Sequence, residues 1–131
     1  RTRADFEARL RLFVEEMISV YAHQLPLAKI MFREVECDRP ETCKIFAAEF
    51  HPIFVVLQKF MEAAKKSGWV RKEMDPIFIN QIIFGAITHA GRMDKMMKRQ
   101  MGINVREPKF RQKLSDHIVD VLLGGIVRTE K

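Results

Sequence analysis

One short segment, residues 65–76, constrains the fold more than any other, because it ends one apolar helix and begins another. Gly68 suits the left-handed backbone conformation that closes a helix C-terminus, and Trp69 can fold back onto the last turn. Asp75 can accept the free N–H groups of a new first turn, and Pro76 suits the first helical position. The segment therefore predicts a tight turn between two long helices.

Length and composition indicate one soluble globular domain. The chain has 131 residues, of which 47% are apolar and 31% charged, so it can bury a real core. No apolar run approaches the roughly 20 residues that span a bilayer, and no signal-peptide pattern follows Arg1. We therefore expect a cytoplasmic protein. Because the chain starts at Arg1 and its first helix follows at once, we expect an N-terminal part of a longer protein to be absent.

Apolar residues keep helical spacing almost everywhere, which predicts an all-α chain. The predicted helices cover about residues 3–24, 26–35, 40–67, 76–99 and 107–128. Pro52 lies inside the third helix, where a proline removes a backbone hydrogen bond, and it predicts a bend near residues 48–52.

The fourth and fifth helices are apolar on more than one face, so each needs more than one burial partner. Small residues, among them Gly85, Gly91, Gly124 and Gly125, allow close backbone approach there. A symmetric homodimer is the commonest solution for such helices. The predicted dimer interface consists of Gly85, His89, Leu114, His117, Ile118, Val121, Leu122 and Gly125. The alternative is a monomer in which these two helices are central.

The order of elements resembles the C-terminal domain of TetR-family transcription regulators over nearly the whole chain. The residues that carry the match are Leu10–Phe13, Lys29–Glu34, Gly68–Val70, Asp75–Pro76, Ile83–Gly85 and Val121–Gly125. The resemblance implies a five-helix bundle whose last two helices form an antiparallel pair and build a four-helix dimer interface. It also implies that residues 1–131 are a single effector-binding and dimerisation domain.

The family's N-terminal helix-turn-helix domain is not in these residues. The resemblance implies a bacterial regulator, such as a transcriptional repressor, that binds operator DNA as a dimer through that missing domain. A small hydrophobic effector would change the separation of the two DNA-reading heads and so the affinity for the operator.

By the same resemblance, the ligand site lies among the first, third and fourth helices. The residues carried over by position are Phe13, Met17, Tyr21, Phe50, Phe54, Leu57, Asn80, Phe84 and Thr88. This mostly aromatic set suits an apolar or aromatic effector, with Tyr21, Asn80 or Thr88 available for hydrogen bonds. Apolar residues at helical spacing can equally form plain core, and that alternative stays open.

Residues 92–113 contain eight Lys or Arg and two acidic residues. The net charge of this segment is therefore +6, which equals the net charge of the whole chain. This basic segment could attract DNA phosphates at long range or simply form a solvated turn. Cys37 and Cys43 could form a metal or redox site, although their spacing is atypical of zinc sites. No catalytic motif is present, so we expect neither enzyme activity nor a cofactor.

The sequence leaves two function classes open. One is the sensing and dimerisation domain of a transcription regulator, and the other is a stand-alone helical bundle that carries an apolar ligand. Periodicity and charge fit both, and only the resemblance favours the regulator.

Overall fold

The computed structural model describes residues 2–36 and 39–126, apart from the side chains of residues 35, 42, 46, 49 and 50. Over these residues the chain forms six α-helices and no β-strand. The helices are α1 (Arg3–His23), α2 (Leu25–Glu36), α3 (Pro40–Lys66), α4 (Pro76–Arg92), α5 (Asp94–Met101) and α6 (Pro108–Ile126). The predicted all-α class is confirmed.

The turn between α3 and α4 follows the local chemistry of its residues. Gly68 has a φ of 84°, and the Trp69 N–H donates to the Ala64 carbonyl at 3.0 Å, which closes α3. The Trp69 ring stacks on Phe6 with centroids 5.9 Å apart. At the start of α4, the Asp75 carboxylate accepts a hydrogen bond from the Ile77 N–H at 3.1 Å. The turn thereby anchors α3 and α4 to the start of α1.

The core is built around α1, which packs most extensively against α6 and also against α4. Its buried stripe is Phe6, Leu10, Val14 and Ile18, at the spacing of one helix face. A polar network supplements this packing at the surface, where Arg11 pairs with Asp116 at 3.2 Å and Asp120 at 3.3 Å. Because these carboxylates are exposed, the apolar contacts dominate the stability.

The predicted continuous helix over residues 76–99 is wrong, because the chain leaves helical geometry at Met93. Met93 has φ −97° and ψ 14°, and a new helix, α5, begins at Asp94. Asp94 forms an ion pair with Lys29 on α2 and lies in the first turn of α5, where a negative charge is favourable. Gly102, with a φ of 66°, then ends α5. Pro52 lies inside α3, which is helical from end to end.

Candidate functional site

A cavity of about 590 Å³ lies between α1, α2, α3 and α4. Its volume falls within the roughly 300–1,000 Å³ of typical small-molecule sites. The walls are overwhelmingly apolar, and Val20, Leu27 and Ile45 are both part of the lining and exposed to solvent. The cavity therefore opens to the surface where α1, α2 and α3 meet.

Six of the nine predicted ligand residues line this cavity. They are Phe13, Met17, Tyr21, Phe54, Phe84 and Thr88. Phe54 and Phe84 face each other across α3 and α4, with ring centroids 4.1 Å apart. The structure thus brings side chains from three separate helices to one apolar wall.

Two predicted ligand residues lie elsewhere. Leu57 is fully buried in the main core, where its side chain packs with those of α1 and α4. Asn80 is also buried, and its Nδ2 donates to Gln58 Oε1 at 2.7 Å, so it joins α3 to α4. Both residues therefore lie in the core and not in the cavity wall, because α3 and α4 pack closely there. Phe50 lies outside the described side chains.

The sequence prediction missed the contribution of α2 to the wall. Leu27, Ala28, Met31 and Phe32 lie on one side of this helix and line the cavity. Their spacing at i, i+1, i+4 and i+5 is the signal that could have found them. The other missed lining residues are Glu16, Val20, Gln24, Ile45, Ile53, Gly85 and Ile87.

Few polar groups reach the cavity. The Thr88 hydroxyl donates to the Phe84 carbonyl at 2.8 Å, so its hydrogen is already engaged within α4. The Tyr21 hydroxyl lies 3.5 Å from the Thr88 carbonyl, at the limit of a hydrogen bond. Burial raises the pKa of the Tyr21 phenol above 10.0, since the ionised form loses hydration there. Tyr21 is therefore a neutral hydrogen-bonding group at ordinary pH.

Ion pairs attach α2 to the junction between α4 and α5. Lys29 pairs with Asp94, and Glu36 pairs with Arg92 at 2.8 Å. The helix that forms one cavity wall is thereby linked to the point at which α4 ends. A ligand that moves α2 would also act on this junction.

The predicted dimer interface residues fall into two groups. Gly85, His89, His117, Val121 and Gly125 are exposed on α4 and α6, and Leu114 is half-buried. Ile118 and Leu122 instead belong to the core of this chain, because that side of α6 packs against α1. These two residues are therefore buried within this chain and are not exposed on α6.

Further apolar side chains extend the exposed part of these two helices. Phe78 is 62% exposed and Ile82 56%, and both lie on the same face of α4 as Gly85 and His89. Val121 on α6 is 74% exposed. We call Phe78, Ile82, Gly85, His89, His117, Val121 and Gly125 the α4–α6 face.

The basic segment and the two cysteines are the remaining features that the sequence analysis singled out. Most side chains of the basic segment are exposed, and none of the α5 residues is buried. Cys43 is a free thiol, whereas Cys37 lies outside the described residues. In the described part of the chain, no three His, Cys, Asp or Glu side chains are grouped as a metal site would require.

No helix in residues 2–36 and 39–126 has the length and apolar character needed to cross a bilayer.

Comparison of the sequence with known proteins found no matching family model and no matching curated protein.

Proposed function

We propose that this chain is the effector-binding and dimerisation domain of a TetR-type transcription regulator. The observation that supports this most is the apolar cavity of about 590 Å³ among α1, α2, α3 and α4, in the region where the family resemblance predicts an effector site. The effector would be a small apolar or aromatic molecule, and the aromatic walls would supply most of its binding free energy through buried area.

The α4–α6 face supports the second half of the proposal. Phe78, Ile82 and Val121 are large apolar side chains that are more than half exposed, and exposed apolar patches often mark interaction sites. Burying this face against a second copy would create a symmetric homodimer. A stand-alone carrier of apolar ligands would need the cavity but not this face, so the face favours the regulator.

Helix α4 connects the two proposed activities. Phe84, Ile87 and Thr88 on α4 line the cavity, while Ile82 and His89 on the same helix are exposed. A ligand that shifts α4 would therefore change the relative orientation of the two subunits. In a polypeptide that carries a DNA-reading domain before Arg1, this change would alter operator affinity.

The proposal is tested by thermal unfolding in the presence of apolar metabolites and drugs. A compound that binds only the folded chain raises its melting temperature. We expect such compounds to exist and their effect to shrink in Phe54→Ala, which removes a wall, and in Phe84→Trp, which fills the cavity. Phe60→Ala is the matched control on α3, because Phe60 stacks on Phe6 and does not line the cavity.

Two results would contradict the site assignment: no compound raises the melting temperature, or Phe54→Ala and Phe84→Trp respond as strongly as Phe60→Ala. The genomic reading frame before Arg1 tests the regulatory role separately. It should encode a helix-turn-helix, whereas a start codon next to Arg1 would favour the carrier.

A further inference from the structure

The charge of the cavity lining differs from the charge of the whole chain. The chain carries 23 Lys or Arg and 17 Asp or Glu, yet no described Lys, Arg or His lines the cavity. Glu16 is the single charged residue among the described lining. A carboxylate or phosphate ligand would lose hydration on entry without gaining a cationic partner, which opposes its binding.

Glu16 is available to a ligand. Neither a hydrogen bond nor an ion pair joins its carboxylate to any described residue, and its side chain is exposed. Val20, one turn further along α1, is also exposed and lines the cavity, which places Glu16 near the opening. By contrast, neighbouring Glu15 accepts a hydrogen bond from Gln112 on α6 at 3.3 Å.

The aromatic rings of the cavity wall also favour a positively charged ligand over a negatively charged one. The lining contains Phe13, Tyr21, Phe32, Phe54 and Phe84. Aromatic ring faces carry partial negative charge, so they attract a cation that has been brought out of bulk water. Quaternary ammonium groups suit such sites best because they are weakly hydrated and have no N–H group that needs an acceptor.

We propose that this cavity selects lipophilic monocations, that is, molecules with an apolar body and one ammonium-type charge. The apolar body of the ligand fills the aromatic cavity among α1, α2, α3 and α4, and its ammonium group lies at the opening beside Glu16. This inference rests on the proposed function, since it requires the cavity to bind a ligand, and it narrows the effector from any apolar molecule to one charge class.

Three ligands with the same alkyl chain and different head groups test the proposal: decyltrimethylammonium, decanol and decanoate. Calorimetric titration of the unmodified chain should give the tightest binding for the cation and the weakest for the carboxylate. The net charge of +6 favours the opposite order, so a preference for the cation cannot come from the overall field of the protein.

Substitutions at Glu16 and at neighbouring Glu15 distinguish a specific effect of the Glu16 carboxylate from the general effect of removing one negative charge. Glu16→Gln should weaken decyltrimethylammonium binding by about two- to fivefold, the range that a partly exposed ion pair supplies, and should affect decanol binding less. Glu15→Gln removes the same charge one residue away, on the side that faces α6, and should change neither affinity.

The outcomes distinguish this inference from the function on which it rests. If decanol binds as tightly as the cation, or if Glu16→Gln and Glu15→Gln behave alike, the charge class is wrong while the apolar site remains. If none of the three ligands binds, the cavity is not a ligand site, and the proposed function fails together with this inference.

Discussion

At the scale of single residues, Tyr21 belongs both to the cavity wall and to the packing against the end of α4. Its ring lines the cavity and lies directly against Gly91 on α4, near the end of that helix. The sequence shows several glycines that allow close approach, but not which of them is used. Within the described structure, Gly85, Gly124 and Gly125 face open space, and the close contact falls at Gly91.

Gly91→Ala should destabilise the fold. A Cβ at Gly91 would lie 2.0 Å from Tyr21 Cε1 and 2.9 Å from Leu25 Cδ1, so both side chains must move. Overpacking of this kind destabilises by about 1–3 kcal/mol, which exceeds the gain of about 1 kcal/mol from alanine in a helix. Chemical denaturation should therefore show a net loss of stability.

Gly124→Ala is the matched control for Gly91→Ala, since nothing lies within 4 Å of the added Cβ in this helix. It should stabilise the chain by roughly 0.5–1 kcal/mol through helix propensity alone. Equal effects at both positions would show that Tyr21 does not pack against Gly91.

Tyr21 also offers a direct titration, because it is the single tyrosine of the chain. Burial raises its pKa, so phenolate absorbance should show a midpoint above 10.0 in the folded chain. Above pH 10.0 the unfolded chain releases this proton first, so stability is complete below that pH and is lost as the pH rises through the folded pKa. An identical midpoint in the folded and the urea-unfolded chain would refute the burial of the phenol.

At the scale of elements, local capping chemistry predicted one helix boundary well and another poorly. The turn between α3 and α4 has strong signals in Gly68, Asp75 and Pro76, and the structure confirms them. The break between α4 and α5 has no proline at the boundary. It coincides with an ion pair between Asp94 and Lys29, 65 residues apart in sequence, and such tertiary contacts are not readable from local pattern.

The α4–α6 face makes a prediction about association. Ile82→Glu should convert a dimer into a monomer, because it introduces a charge into an apolar interface without a partner. Val56→Glu is the matched control, since Val56 on α3 is 60% exposed and lies outside this face. Light scattering should show a dimer for the unmodified chain and for Val56→Glu. A monomer in the unmodified chain would exclude the proposed dimer, and a dimer in Ile82→Glu would exclude the α4–α6 face as its interface.

At the scale of the whole molecule, helical periodicity predicted the all-α class, and the family resemblance named six residues that the structure brings to the cavity lining. Helical periodicity identified apolar faces such as that of Phe13, Met17 and Tyr21 on α1. Periodicity does not show whether an apolar face meets another helix closely or leaves a space. Leu57 lies where α3 and α4 close on the core, whereas Phe54, less than one turn earlier, borders the cavity.

Helix α2 packs against α3 and also contacts α4. Lys29 and Glu36 attach α2 to the α4–α5 junction by ion pairs, while its apolar side faces the space between the helices. The position of α2 against α3 and α4 is a property of the assembled bundle. The α2 lining residues were absent from the predicted site because the family resemblance places that site among the first, third and fourth helices.

The central claim, that the cavity binds an apolar molecule, is tested most directly by methyl NMR of the eight methionines. Met17 and Met31 line the cavity, Met61 is buried in the core, and Met96 and Met101 are exposed. On addition of decanol, the chemical shifts of the Met17 and Met31 methyl groups should change until they reach saturation. The chemical shift of the Met61 methyl group should stay constant. Shifts confined to Met96 and Met101, or no shift at Met17 and Met31, would contradict the account.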